Sequence, residues 1–264
     1  MASRIVLWAF AVLILVQMPV FARSSEWQQK EQAAAKALHV PDLRLVDPSG
    51  LDSTSRNILE RSGVILGYVE RATTMGRYGC TALGNSQKRE TVAAVMAEAL
   101  DKLSPQSLQK IGLRYILMCG SASARNQEIG GIPVPPIHTL MLSLGLDDNE
   151  YRQHIFYHEL FHFMELTAKD RQFVSQWDRD FSSGYGRGSG TSWRLKSGDR
   201  GFVSAYAQTS AEEDRAEIFA HLMRAPDEMR RFANSDWSPE LNGKIEAIQK
   251  FSVTNFDIRY VENY

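Results

Sequence analysis

The segment His158-Glu159-Leu160-Phe161-His162 limits most strongly how this 264-residue chain can fold. It lies in a helical pattern from Asn149 to Leu166, and Asp147 with Glu150 predicts a capping box at the start of that helix. Residues four apart on an α-helix share a face, so both imidazoles would point to the same side. Two histidines placed in this way can hold one metal ion, with Glu159 close to a water on that ion.

A third protein ligand is expected, because zinc sites that carry out chemistry have three protein ligands and leave one position to water. A third histidine in the same stretch would need Gly at 165 and His at 168, where this chain has Glu165 and Ala168. A glutamate from a second helix is the remaining common solution. Ser210 with Glu213, or alternatively Thr209 with Glu212, predicts a capping box that starts such a helix.

Glu213 and Glu217 would then lie one turn apart on one face of this second helix. Two carboxylates in that arrangement repel each other, and a cation facing them removes the penalty. We therefore predict that His158, His162 and Glu213 bind one zinc ion. Glu217 would accept a proton from a ligating imidazole and so fix its tautomer. The alternative is that the acidic residues at this helix start only complement the helix dipole.

A known motif, Tyr-x-x-Thr-x-x-x-Glu-x-x-Ala-Glu, is matched without a gap by Tyr206, Thr209, Glu213, Ala216 and Glu217. Together with the histidine motif, it resembles the lethal-factor-like zinc metallopeptidases, which include the Pro-Pro endopeptidases. The resemblance covers roughly residues 100–225. It implies an α+β, zincin-like fold, with a small sheet over the histidine helix and a mainly helical C-terminal part. Asp214 and Arg215 depart from the pattern, because relatives usually carry apolar or aromatic residues there.

Hydrolysis of a peptide or protein substrate is the activity that these residues imply. From its spacing, Glu159 would act as the general base. By resemblance, Tyr206 would donate its phenolic hydrogen to the developing oxyanion, although a core tyrosine bonded elsewhere is the alternative. Two other functions stay open, namely a non-catalytic, zinc-containing secreted module that binds a protein, and an amidase acting on cell-wall peptides. The presence of both Glu159 and Tyr206 disfavours the binding module.

Two strands are predicted before the histidine helix, at Arg114–Cys119 and at residues 138–144, with a Gly/Pro-rich loop at Gly130–Pro136 between them. We expect strand 138–144 to lie at the sheet edge beside the site, where an extended peptide could add as an antiparallel strand. An internal position is the alternative. His138 and His154 are expected to be exposed or core residues rather than metal ligands.

The first 22 residues have the pattern of a secretory signal peptide. Arg4 precedes an apolar run from Ile5 to Val16, and Val20-Phe21-Ala22 forms a small-residue cleavage site. We therefore expect a secreted or periplasmic protein that is cleaved after Ala22. The apolar run is short for a bilayer span, so no stable membrane insertion is expected after cleavage, and an uncleaved anchor is the alternative.

The net charge limits the classes of binding partner, and the cysteine content bears on the cellular compartment. The formal net charge is −1 without a basic block, which argues against nucleic acid as a partner. The two cysteines, Cys80 and Cys119, predict a disulfide in an exported chain, with two separate buried thiols as the alternative. Such a bond would stabilise the fold by about 4 kcal/mol.

Residues 23–85, including a helix over Thr54–Arg71, are expected to form an N-terminal helical segment packed on a catalytic domain at 86–264.

Overall fold

The computed structural model describes residues 26–186, 190–196, 201–235 and 239–259. The predicted signal peptide at 1–22 lies outside these residues. Helices and two β-sheets are combined in the described part of the chain. Within it, no helix has both the length and the apolar character that a membrane span requires.

The elements alternate along the chain before a helical C-terminal half. The helices are α1 (residues 26–38), α2 (Ser53–Ser62), α3 (Ser86–Asp101), α4 (Pro105–Ile111), α5 (Asn149–Ala168), α6 (Arg171–Asp180), α7 (Ala211–Arg224), α8 (Pro226–Ser235) and α9 (Pro239–Phe256). The strands are β1 (Leu43–Leu45), β2 (Ile65–Val69), β3 (Thr73–Met75), β4 (Tyr78–Cys80), β5 (Tyr115–Cys119), β6 (Ala122–Ala124), β7 (Gln127–Ile129), β8 (Gly131–Val134) and β9 (Thr139–Ser143).

The larger sheet has the strand order β1-β2-β5-β9-β8. Strands β2, β5 and β9 are parallel, and β1 and β8 pair antiparallel at the two sides. Side chains alternate between the faces, so Ile116 and Met118 of β5 join the core that contains α3 and α5. Leu117 faces the opposite way and packs with α1 through Leu38. Both faces of the sheet are therefore covered.

The expectation that strand 138–144 forms the sheet edge is wrong. Strand β9 lies between β5 and β8, and the outer strand β8 occupies the stretch predicted as a loop. The residues from Thr139 to Leu142 are all buried, which suits a central strand. Pro133 in β8 has no N–H, so it is tolerated only where that group would face an open edge.

The N-terminal segment is not only helical, because it supplies two strands of the larger sheet. The helix predicted over Thr54–Arg71 stops at Ser62, where Gly63 takes a left-handed conformation with φ of 68°. The chain then forms β2, which pairs in parallel with β5. Residues 43–45 and 65–69 are thus part of the sheet that supports the histidine helix.

The smaller sheet has the order β3-β4-β6-β7, with antiparallel pairs throughout. The predicted disulfide is present and links the two sheets, since Cys80 ends β4 and Cys119 ends β5. Their Cα atoms are 5.2 Å apart, and both residues are buried.

Helices α5 and α7 pack side by side. The cap of α7 is Ser210, as predicted, whereas α5 is capped by Asp148, one residue after the predicted Asp147, whose carboxylate pairs with Lys88 and Arg152. Asp148 accepts a hydrogen bond from the Tyr151 N–H at the start of α5. Ser210 accepts one from the Glu213 N–H at the start of α7. Because the caps fix where each helix begins, they also fix which residues of α5 and α7 face each other.

Candidate metal centre

Three predicted ligands come together between α5 and α7. The Nε2 atom of His158 lies 2.9 Å from Oε2 of Glu213 and 3.1 Å from Nε2 of His162. The third side of this triangle, from His162 Nε2 to Glu213 Oε2, measures 3.4 Å. Donor atoms bound tetrahedrally to zinc at its usual bond lengths are roughly 3.3 Å apart. Two imidazoles and a carboxylate are also a donor set that zinc prefers, so the residues fit this ion.

The ionisation of these groups shows that a positive charge is stabilised between them. Burial by itself lowers the pKa of His158, but hydrogen bonds to Glu213 and Glu217 raise it to about 10. Burial likewise opposes protonation of His162, and its contacts with Glu165 and Glu213 raise its pKa to about 9. For Glu213 burial acts to raise the pKa, yet the two imidazoles hold it below its usual range. The group thus favours positive charge, which is what a bound cation would also supply.

Glu217 lies next to Nδ1 of His158, and both of its carboxylate oxygens accept hydrogen bonds. Its Oε1 accepts hydrogen bonds from His158 Nδ1 at 3.0 Å and from His154 Nε2 at 2.8 Å. Its Oε2 accepts from the Ser204 hydroxyl at 2.6 Å. Because Nδ1 of His158 carries the proton in this contact, Nε2 is the nitrogen directed at Glu213 and His162. The contact between Glu217 and His158 is the one expected from the sequence, and metal binding by His158 stays a prediction.

His154, His158 and Glu217 form a second cluster that could in principle hold a metal. All three are buried, and both imidazoles reach the same oxygen of Glu217 at hydrogen-bond distance. Burial lowers the pKa of His154, which keeps this ring neutral beside the carboxylate. The contacts within this cluster are thus hydrogen bonds, whereas His158, His162 and Glu213 form another group that could hold a metal.

Glu159 is buried against the outer strand of the larger sheet. A Cβ atom added to Gly131 of β8 would fall 2.6 Å from Cγ of Glu159, so only glycine allows this approach. Burial raises the pKa of Glu159, and the neighbouring imidazoles of His158 and His162 oppose that rise. A carboxyl group with a raised pKa beside a metal site is suited to accept and return a proton.

Tyr206 lies close to His158. Its ring centre is 5.6 Å from that of His158. Burial, followed by the charges of Glu213 and Glu159, raises the pKa of the phenol, which therefore keeps its hydrogen at neutral pH. The Tyr206 N–H donates to the Ser192 carbonyl at 3.2 Å, which connects this residue to the preceding loop.

Several residues that support the site were not assigned a role from the sequence. His154 and Ser204 both bind Glu217, as described above. Glu165 lies 3.8 Å from Nδ1 of His162 through Oε2, and its Oε1 accepts from Arg215 Nε at 2.6 Å. The one sequence signal for His154 is its position one turn before His158. Arg215 stood out as a charge where an apolar residue was expected.

Two further histidines lie outside the candidate metal-binding group. His221 is buried, lies 2.9 Å from the Trp193 carbonyl through Nε2, and has its ring centre 4.8 Å from that of His154. Trp193 also packs on His154, with ring centres 4.7 Å apart, so residues 190–196 cover this side of the site. His138 is exposed and lies 2.8 Å from the Gly112 carbonyl.

Comparisons with known proteins give one weak similarity to report. No protein-family model matches the chain, and no curated protein matches it. Among solved structures, the chain is similar to a protein of Bacteroides caccae that is provisionally described as a zinc-binding metallo-peptidase. The TM-score is 0.46 at 14% identity, over 83% of this chain and 92% of that one. A similarity at this level does not assign a family or an activity.

Proposed function

We propose that this protein is a zinc-dependent peptidase that acts outside the cytosol. The observation that carries the proposal is the convergence of His158 Nε2, His162 Nε2 and Glu213 Oε2, at separations of 2.9 to 3.4 Å, beside a buried Glu159. These side chains come from two helices that pack together, so the group is built by the fold rather than by one exposed surface.

Each residue of the site has a chemical role in this proposal. Zinc, held by His158, His162 and Glu213, would supply Lewis acidity that polarises a carbonyl and acidifies water. Glu159 takes a proton from the attacking water and returns it to the leaving amine. Tyr206 donates a hydrogen bond to the oxygen on which negative charge develops.

The open edge of β8 is the proposed binding place for the peptide backbone. The Ser143 N–H donates to the Gly130 carbonyl at 2.8 Å, so alternate residues of β8, starting with Ile132, point their backbone groups toward β9. Gly131 and Pro133 then direct theirs away from the sheet. An added strand would meet one N–H and two carbonyls there, next to the closest approach of Gly131 to Glu159.

Export to the periplasm or the extracellular medium is part of the proposal. It rests on the signal pattern before residue 23 and on the disulfide between Cys80 and Cys119. Disulfides persist in oxidising compartments and are rare in the cytosol.

A peptide-library experiment tests the activity. The mature protein is incubated with a proteome-derived peptide mixture, with and without a chelator, and new termini are read by mass spectrometry. The proposal predicts specific cleavages that the chelator abolishes and that Glu159→Gln loses while still binding zinc. Tyr206→Phe should lower kcat by about 100-fold or more while zinc stays bound. Zinc binding without any cleavage would favour the protein-binding module, and cleavage confined to cell-wall peptides would favour the amidase.

A further inference from the structure

Lys244 is a buried cation of helix α9 that no part of the proposed chemistry uses. Its side chain is fully buried, and Nζ lies 2.9 Å from Oδ2 of Asp214. The same Nζ donates to the Gly201 carbonyl at 2.7 Å and lies 3.4 Å from Oε1 of Glu240. The ring of Phe202 is beneath it, with its centre 4.0 Å from Nζ.

The contact with Asp214 reaches the helix that carries a proposed zinc ligand. Asp214 follows Glu213 directly in α7 and is also fully buried. The Tyr185 hydroxyl donates to Asp214 Oδ2 at 2.9 Å, and Trp177 Nε1 donates to the Tyr185 oxygen at 3.0 Å. Adjacent helical residues point in directions about 100° apart. Because Asp214 is held toward α9, α7 is held at one rotation about its axis. That rotation determines the direction in which Glu213 faces the histidines.

The contact with Gly201 reaches the segment that carries the proposed oxyanion donor. Residues 201–206 run from this carbonyl through Ser204, which binds Glu217, to Tyr206. The ring of Tyr185 packs edge-on against Phe202, with centres 5.4 Å apart. One ammonium group thus touches both the ligand helix and the Tyr206 segment.

We propose that Lys244 is a positioning residue that sets the placement of Glu213 relative to Tyr206. The free energy needed to remove two charges from water is about as large as the attraction between them in the interior. A buried ion pair of this kind therefore contributes little net stability. It can still specify one arrangement, because an unpaired charge at either position would be strongly disfavoured. The pair of Arg215 with Glu165, on the next residue of α7, holds the helix against α5 in the same way.

The test uses the double variant Lys244→Met/Asp214→Asn, which removes both charges and leaves no charge unpaired. Its dissociation constant for zinc should rise about 10-fold or more, as for other residues that orient ligands. In the metal-free protein, the nuclear magnetic resonance signal of isotope-labelled Tyr206, assigned with Tyr206→Phe, should move toward that of exposed tyrosines. The zinc measurement rests on the proposed function. The tyrosine signal does not, so a protein that fails to bind zinc can still support or overturn the positioning role.

Lys102→Met is the matched control. Lys102 donates to the carbonyls of Met223 and Arg224 at 2.7 and 3.0 Å, at the end of α7 remote from Glu213. This variant should change neither zinc affinity nor the Tyr206 signal.

A folded double variant with wild-type Tyr206 signal and wild-type zinc affinity overturns the proposal. Should it not fold, Lys244→Gln/Asp214→Asn, which keeps an N–H donor without charge, replaces it with the same expected results. If neither variant folds, the pair is needed for the fold as a whole and the positioning role is withdrawn.

Discussion

Glu217 accepts a hydrogen bond from Nδ1 of His158 at 3.0 Å. Glu213, one helical turn earlier in α7, contacts Nε2 of the same ring. The two nitrogens of one imidazole therefore contact two different glutamates. Glu217 is buried and hydrogen-bonded at both oxygens, while Glu213 is partly exposed. The proposal predicts that orientation of the ring and metal binding can be separated by mutation.

Glu217→Gln should weaken zinc binding by about 10- to 100-fold without abolishing it. The amide keeps one oxygen for a histidine, but it brings N–H groups next to Ser204 and removes the negative charge. Competition with a fluorescent chelator measures the affinity. Glu212→Gln, at an exposed position of the same helix, is the control. Equal affinity in the Glu217 variant and the wild type would contradict the orienting role.

Glu213→Ala should remove most bound zinc, whereas Glu212→Ala should leave it in place. The side chain of Glu213 points at both imidazoles, and that of its neighbour is exposed. Elemental analysis of protein dialysed against trace zinc gives the stoichiometry for both variants. The reverse result would move the third ligand by one residue along the chain.

The two helices of the site could be predicted from sequence because their signals are local. Side-chain spacing predicts α5 over 149–166, and a capping pattern predicts that a second helix starts at Thr209 or Ser210; the structure has Asn149–Ala168 and Ala211–Arg224. Strand β8 was not predicted, because Gly131 and Pro133 are residues typical of turns. Pro is accepted within a sheet mainly at an edge strand, and the edge position of β8 could not be read from the sequence. Strand β2 was read as the end of a helix, because a short apolar run does not distinguish the two.

Long-range pairs left no such signal. The contact between Lys244 and Asp214 joins residues on separate helices, and Lys244 alone reads as an ordinary surface charge. Asp214 and Arg215 stood out only as departures from the motif, and nothing in the sequence indicated Lys244 and Glu165 as their partners. Their burial depends on how α5, α7 and α9 pack, which the spacing of residues within one helix does not determine.

Gly131→Ala should abolish turnover while zinc stays bound. The new methyl group would fall 2.6 Å from Cγ of Glu159 and 3.0 Å from the Met141 carbonyl, which is backbone and cannot swing away. Gly130→Ala is the control, because its methyl group would meet the flexible end of Ile155 at 2.7 Å. Activity on a cleaved peptide and zinc content are compared for the two variants. Full activity of Gly131→Ala would show that Glu159 does not need this close approach.

Zinc binding near pH 7 should release protons, because ligating imidazoles must lose theirs. In the metal-free protein, contacts with carboxylates raise the pKa of His158 to about 10 and that of His162 to about 9, so the histidine pair holds bound protons at neutral pH. Calorimetric titration in buffers with different ionisation enthalpies counts the protons. A buffer-independent enthalpy would contradict the predicted protonation state.

The same shifts determine how the stability of the metal-free protein varies with pH. A histidine whose pKa is raised from 6.5 to about 10 stabilises the folded state fully below pH 6.5, and this contribution is lost as the pH rises through about 10. The free energy of unfolding of chelator-treated protein should therefore contain a decrease over this window. Glu213→Gln, which removes the main partner, should reduce that decrease in parallel denaturation curves.

Anomalous diffraction at the zinc absorption edge tests the central claim most directly. Crystals of the mature protein with one equivalent of zinc are predicted to give a single strong peak among His158 Nε2, His162 Nε2 and Glu213 Oε2. A peak beside His154 and Glu217 instead, or no ordered zinc between α5 and α7, would contradict the account.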